Sequence, residues 1–186
     1  MANIKVVQYD EATGRLKEIY DELIEKRGQL AEVHKIQSLN PETIVAHMDL
    51  YLSIMFSQSP LSRAQREMIS VVVSAANRCV YCQVHHGAAL NNYWKDEKRV
   101  EQLKTNYQKA SLNETDALLC QYAIDLTLVP DDFENNDKTT ALKEAGLDDR
   151  AILDATLVIA YFNFVNRIVS SMGIALEESA GEGYKY

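Results

Sequence analysis

Residues 62–86 read SRAQREMISVVVSAANRCVYCQVHH, and the fold is decided there. Ser62 with Gln65 three positions on forms a capping box, the side-chain signature of a helix start. Met68, Val71, Val72 and Ala75 then recur at helical spacing. Three consecutive valines would also suit a strand, but no apolar–polar alternation flanks them, so the spacing predicts a helix. A polar break follows at Asn77-Arg78, and Cys79 opens a second helical stretch to about Tyr93.

The same pattern extends in both directions. Asp10 is placed to cap a first helix through Leu16, Ile19, Tyr20, Leu23 and Ile24, ending near Gly28. Asn40-Pro41-Glu42 is a start signal: a capping residue, Pro at the first helical position, then an acid in the first turn. Ile44, Met48, Tyr51, Leu52 and Met55 share one face of that helix, and Ser59-Pro60 closes it. Asp96 caps a short helix through Leu103. A second capping box at Ser111–Glu114 introduces a helix with Ala117, Leu118, Tyr122 and Leu126 on one side, stopped before Pro130. Asp131 to Asn136 reads as an acidic loop, and Thr139 to Ala145 as a short helix stopped at Gly146. Asp148 caps the last helix, which runs to about Met172 and stops at Gly173. Its stretch Leu157 to Val165 is apolar on nearly every side, which places it at the centre or in a subunit interface. Glu177 to Tyr186 is a tail that is ordered only where something holds it.

With 186 residues, seven Gly and three Pro, chain breakers are less than half as common as in average usage. No long repeat, low-complexity tract or linker interrupts the chain. The expected fold is all-α: a single domain over residues 1–186, built as a bundle of about seven helices.

Charge excludes several function classes. The net charge of −8 leaves no electrostatic footprint for nucleic acid and weakens an anionic-membrane reading. No run of 18 uninterrupted apolar residues is present, and Met1 to Asp10 lacks the features of a signal peptide. A cytoplasmic protein is the expectation. Three cysteines, two of them close together, in a reducing compartment point to catalysis or metal binding rather than to a structural staple.

The chemistry concentrates at Cys79, Cys82 and His86. On a helix these residues, three and four apart, lie on one face. Cys79 sits at the helix N-terminus, where unpaired N–H groups and the helix dipole favour a thiolate. An imidazole one turn beyond Cys82 can take its proton. That arrangement suits nucleophilic attack followed by disulfide closure. Zinc is the rival use of such ligands, but no second Cys-x-x-Cys or His-x-x-x-His exists, and His34 and His47 sit singly. No Gly-rich nucleotide fingerprint is present, so no cofactor is expected. Cys120, among Leu118, Leu119 and Tyr122, reads as a small core residue, and His47 as a helix-flank residue. Glu67 follows Arg63 by four, the spacing of a helical ion pair.

Glu67, eleven intervening residues, Cys79-x-x-Cys82, three more, then His86 resembles the AhpD-like alkylhydroperoxidases of the carboxymuconolactone decarboxylase superfamily. The stretch Tyr161 to Arg167 resembles its peroxidase-related branch, and the likeness covers about residues 41–173. The resemblance implies a thiol-dependent peroxidase. Cys82 would attack the peroxide, Cys79 would resolve the sulfenic acid as a disulfide, and His86 with Glu67 would relay the proton. Helix position alone favours Cys79 as the more acidic thiol, whereas the family assigns attack to Cys82. Tyr81 stands where family hydroperoxidases can carry a relay histidine. His85 could substitute, although it lies about 100° round the helix from His86, towards solvent. Tyr81 and His85 are therefore secondary candidates. The implied partners are a hydroperoxide substrate and a dithiol reductant such as a lipoyl or thioredoxin-like protein. The implied assembly is a homo-oligomer, trimer or hexamer. Two other readings compete: a carboxymuconolactone-decarboxylase-like reaction on a small acid, and a redox-sensing oligomer without catalysis.

Overall fold

A computed structural model of the chain describes residues 2–134 and 136–177. Among them are nine α-helices and no strand: α1 (Gly14–Arg27), α2 (Glu32–Lys35), α3 (Pro41–Met55), α4 (Arg63–Ala76), α5 (Val80–Trp94), α6 (Glu97–Thr105), α7 (Glu114–Leu128), α8 (Thr139–Glu144) and α9 (Asp149–Met172). Seven of these have more than six residues, so the expected all-α bundle is the observed one. Short 3-10 turns at Tyr107–Lys109 and Pro130–Glu134 connect them. The second of these turns orders most of the expected acidic loop. Of the tail, Glu177 is placed, and 178–186 lie outside the described residues.

Most predicted boundaries coincide with real caps. Ser62 accepts from the Gln65 amide and Gln65 returns a bond to Ser62, closing the capping box. Asp96 and Asp148 cap α6 and α9 through their side chains. Three starts differ. Asp10 lies four residues before α1, which begins at Gly14. Asn113, not Ser111, caps α7, because Ser111 adopts φ 49° and its backbone turns away from the helix. Asn40 precedes α3, but its side chain makes no capping bond.

The buried hub is α4. Every residue from Arg66 to Ser74 is buried, because α5, α7 and α9 all pack around this helix, with α6 beside it. The three valines fill that crowded centre. α9 also packs against α3, α7 and α8 but leaves Leu153, Leu157 and Phe164 exposed on its outer side. It is long and apolar enough to cross a membrane by length and composition, while over half of its most apolar window is buried inside the fold. That is the position of a core helix.

The hinge between α4 and α5 positions the chemistry. The Cys79 amide donates to the Ser74 carbonyl at 2.8 Å and the Arg78 amide to Ala75 at 3.0 Å. This is a Schellman turn, with Arg78 at φ 56° where glycine is usual. The turn reverses the chain, and Cys79 becomes the residue that precedes the first turn of α5.

Candidate active site

Helix α5 carries both site cysteines into the core. Cys79 and Cys82 are each 2% exposed and, with Cys120, are free thiols. Cys79 is held down to about 7 by the hydrogen bond from the Cys82 thiol, against the opposing effect of burial, with help from Ser170 on α9. Cys82 is pushed up by the same contact with Cys79 and by burial. The pair therefore places its first negative charge on Cys79, the order that helix position predicts. Asn166 on α9 contacts Cys82. Its carboxamide is oriented by Asn77, whose Nδ2 donates to Asn166 Oδ1 at 3.0 Å.

Glu67 is not a surface charge. It is wholly buried on α4, and its Oε2 lies 2.7 Å from His86 Nδ1 while Oε1 accepts from Arg63 at 2.6 Å. The ion pair with Arg63 read from the sequence exists, buried rather than exposed. Burial alone would raise the Glu67 carboxyl, but His86 and Arg63 outweigh it and hold it below its ordinary value. An ionised carboxylate only accepts hydrogen bonds, so a neutral His86 carries its proton on Nδ1. Its Nε2 lone pair is then free to act as a base.

Cys82 and His86 border a partly enclosed cavity of about 70 Å³ with Tyr51, His47, Tyr161 and Phe162. Cys79 and Glu67 do not border it. Access thus favours Cys82, whereas acidity favours Cys79. Tyr81 and His85 also line the cavity, and His85 is only 8% exposed. The solvent-facing position expected for His85 is corrected by Glu177, which follows α9 and covers that side of α5. The Glu177 carboxylate accepts from Tyr81 Oη at 2.6 Å and the Glu32 amide at 2.8 Å, and lies 2.8 Å from His85 Nε2. Burial raises this carboxyl, yet those hydrogen bonds bring it down to about 2. His47, expected on a helix flank, is buried in the cavity wall because α9 packs over α3. Cys120 is the core residue expected, and burial pushes its thiol up. Among the described residues no group of three His, Cys, Asp or Glu side chains is arranged to hold a metal ion.

Glu177, Tyr161, His47 and Asn166 were not marked as site residues by the sequence. The segment Tyr161 to Arg167 contributes to the family resemblance, but nothing in it signals which side chains face the thiols. Glu177 has no local signal at all.

Fold and site together define an all-helical dithiol protein, with a Cys-x-x-Cys pair at a helix start and a buried glutamate–histidine pair beside it. Residues 41–105, which carry all four motif positions, match the carboxymuconolactone decarboxylase family. Two solved structures are similar over nearly the whole chain. One is the alkylhydroperoxidase AhpD core of an uncharacterized peroxidase-related protein from Ralstonia eutropha JMP134, with 26% identity and a TM-score of 0.86, covering 97% of this chain and 94% of that one. The other is an uncharacterized peroxidase-related protein from Silicibacter sp. TM1040, with 29% identity and a TM-score of 0.84, covering 100% of both chains. The debrominase Bmp8 shares the fold at 18% identity and a TM-score of 0.78, covering 96% of this chain and 94% of that one. No curated protein matches the chain. The family match spans residues 41–105, and over its whole length the chain is similar in fold to the AhpD-like, peroxidase-related structures.

Proposed function

We propose that the protein is a thiol-dependent peroxidase that cycles Cys79 and Cys82 between dithiol and disulfide. The observation that carries this reading is the cavity: Cys82 opens onto it beside His86, whose tautomer is fixed by buried Glu67. His86 Nε2 takes the Cys82 proton, as the raised Cys82 thiol requires. The thiolate attacks the terminal oxygen of the hydroperoxide, the S–O bond forms, and the O–O bond breaks with its electron pair on the departing oxygen. The proton from His86 ends there, giving an alcohol or water. Cys79, already the more acidic thiol, then attacks the Cys82 sulfur and displaces hydroxide as water. A dithiol protein of lipoyl or thioredoxin-like type returns the disulfide to two thiols. The exposed Leu153, Leu157 and Phe164 on α9 offer a face for the homo-oligomer that accompanies this reading.

Intact mass after thiol alkylation, before and after one equivalent of hydrogen peroxide, tests the reading. Loss of two alkylatable thiols, mapped to a Cys79–Cys82 disulfide, is expected. Cys82→Ser abolishes peroxide consumption, and Cys79→Ser stops after one equivalent with Cys82 as sulfenic acid or a mixed disulfide. Sustained turnover in either variant would sink the dithiol cycle. An activity on a small acid that survives the double Cys→Ser change would establish the decarboxylase-like alternative. Oxidation that alters size-exclusion elution without turnover would establish the sensor.

A further inference from the structure

Three polar side chains that the dithiol cycle does not use form a chain leading to the cavity that Cys82 borders; two of them, His47 and Tyr161, line it. Gln37 Nε2 donates to the Val33 carbonyl at 2.8 Å and lies 2.8 Å from His47 Nδ1. His47 Nε2 lies 2.7 Å from Tyr161 Oη. Directions in this chain are forced. The bond to Val33 fixes the Gln37 amide with its nitrogen towards His47, so His47 Nδ1 must accept. Burial lowers His47 to about 4, so the ring is neutral at pH 7 and its single proton is on Nε2. That proton is donated to Tyr161 Oη. Tyr161 therefore accepts from His47, and its own O–H has to point elsewhere.

Among the described residues the bond from His47 is the only one made by Tyr161 Oη, although the residue is just 6% exposed. The ring is locked edge-on against Phe162 and His47, with Tyr51 tilted beside it. Tyr161 borders the same cavity as Cys82 and His86. Burial, together with Tyr51 and Cys82, holds the phenol well above its ordinary value, so it is a donor at any working pH. A buried O–H that is turned away from its one partner, at a cavity wall and with no protein acceptor, is a site prepared for an oxygen that develops negative charge.

We propose that Tyr161 is a further catalytic residue, donating a hydrogen bond to the oxygen that departs when Cys82 attacks a hydroperoxide. This rests on the peroxidase reading. The bonds made and broken are those of that step: Cys82 S–O forms, O–O breaks, and the electron pair goes to the departing oxygen. Tyr161 Oη–H stabilises that oxygen until the proton held on His86 reaches it. Tyr161 keeps its own proton, and His47 and Gln37 act as positioning residues.

The test compares two oxidants that differ in leaving group. An alkyl hydroperoxide expels a strongly basic alkoxide, whereas a peracid expels a weakly basic carboxylate. In Tyr161→Phe the rate of Cys82 oxidation by tert-butyl hydroperoxide is expected to fall about 100-fold. The rate with peracetic acid falls about threefold or less, because a carboxylate needs little help to leave. Equal losses with both oxidants would overturn the proposal, since a merely structural role does not sense the leaving group. Unchanged rates with both would overturn it too, while leaving the dithiol cycle intact. Wild-type protein whose thiols resist both oxidants would remove the peroxidase reading and this proposal with it. Should Tyr161→Phe not fold, 3-fluorotyrosine at 161 keeps the ring and makes the O–H more acidic. It is expected to raise the tert-butyl hydroperoxide rate relative to the peracid rate, and an unchanged ratio would overturn the proposal.

Discussion

Glu67 is a buried charge that ties stability to the proposed proton relay. Its carboxylate has no exposure and is held between Arg63 and His86. Glu67→Gln keeps the shape but leaves the Arg63 cation, itself only 13% exposed along its side chain, without an ionised partner. Removing one partner of such a pair costs about 3 kcal/mol, and urea denaturation would register it. The same change removes the acceptor that fixes His86, so under the proposed relay Cys82 oxidation by peroxide is expected to slow by about 100-fold. A variant with wild-type stability would contradict the buried pair, and one with wild-type oxidation rate would contradict the relay. The spacing of Glu67 to the two cysteines and His86 marks these residues as a set. Their burial comes from the packing of α5 on α4 and from single side chains that reach α5, Tyr51 from α3 and Phe162 and Asn166 from α9. Residues such as Tyr161 and Glu177 could not be ranked from local pattern, because their partners lie 114 and 92–145 positions away along the chain.

At the scale of elements, the α4–α5 hinge holds Arg78 in the left-handed region at φ 56°. A non-glycine residue there costs on the order of 1 kcal/mol. Arg78 is exposed, so its side chain contributes little packing that a substitution would forfeit. Arg78→Gly is therefore expected to raise stability by about 1 kcal/mol, read as a higher thermal midpoint. A lower midpoint would mean that the flexibility gained by the unfolded chain outweighs the relieved strain. The capping box at Ser62 acts in the opposite sense: Ser62→Ala removes the bond to the Gln65 amide and lowers stability by about 1 kcal/mol. Both devices sit at the ends of α4, the helix around which the other long helices pack.

Across the whole molecule, two buried histidines tie stability to pH. His34 is lowered to about 3, chiefly by burial and then by His47, and His47 to about 4 by burial, from an ordinary value of 6.5. Both folded values lie below the unfolded one, so between them the unfolded chain binds more protons. Their contribution is fully present above pH 6.5 and is lost as pH falls through the folded values. For His47 alone the shift from 6.5 to about 4 corresponds to roughly 3 kcal/mol by the linkage relation. Glu177 adds to the loss at lower pH: its folded value near 2 lies below 4.5, so its stabilisation declines across that interval. Urea midpoints measured from pH 8 downwards are expected to be flat above about pH 7 and to fall steadily below it. A midpoint that stays flat down to pH 4.5 would contradict the buried neutral histidines.

The sequence by itself determined the all-helical class, most helix ends and the dithiol motif, because these depend on neighbours within about five positions: a side chain capping the third amide, an apolar stripe, cysteines one turn apart. It could not determine which faces are covered. Burial is decided by elements far apart in the chain that converge, and such packing leaves no local periodic trace. Tertiary structure alone therefore turned Glu67 into a buried counterion, drew His85 and His47 out of solvent, brought Glu177 to Tyr81, and set Tyr161 in the wall of the cavity that Cys82 borders.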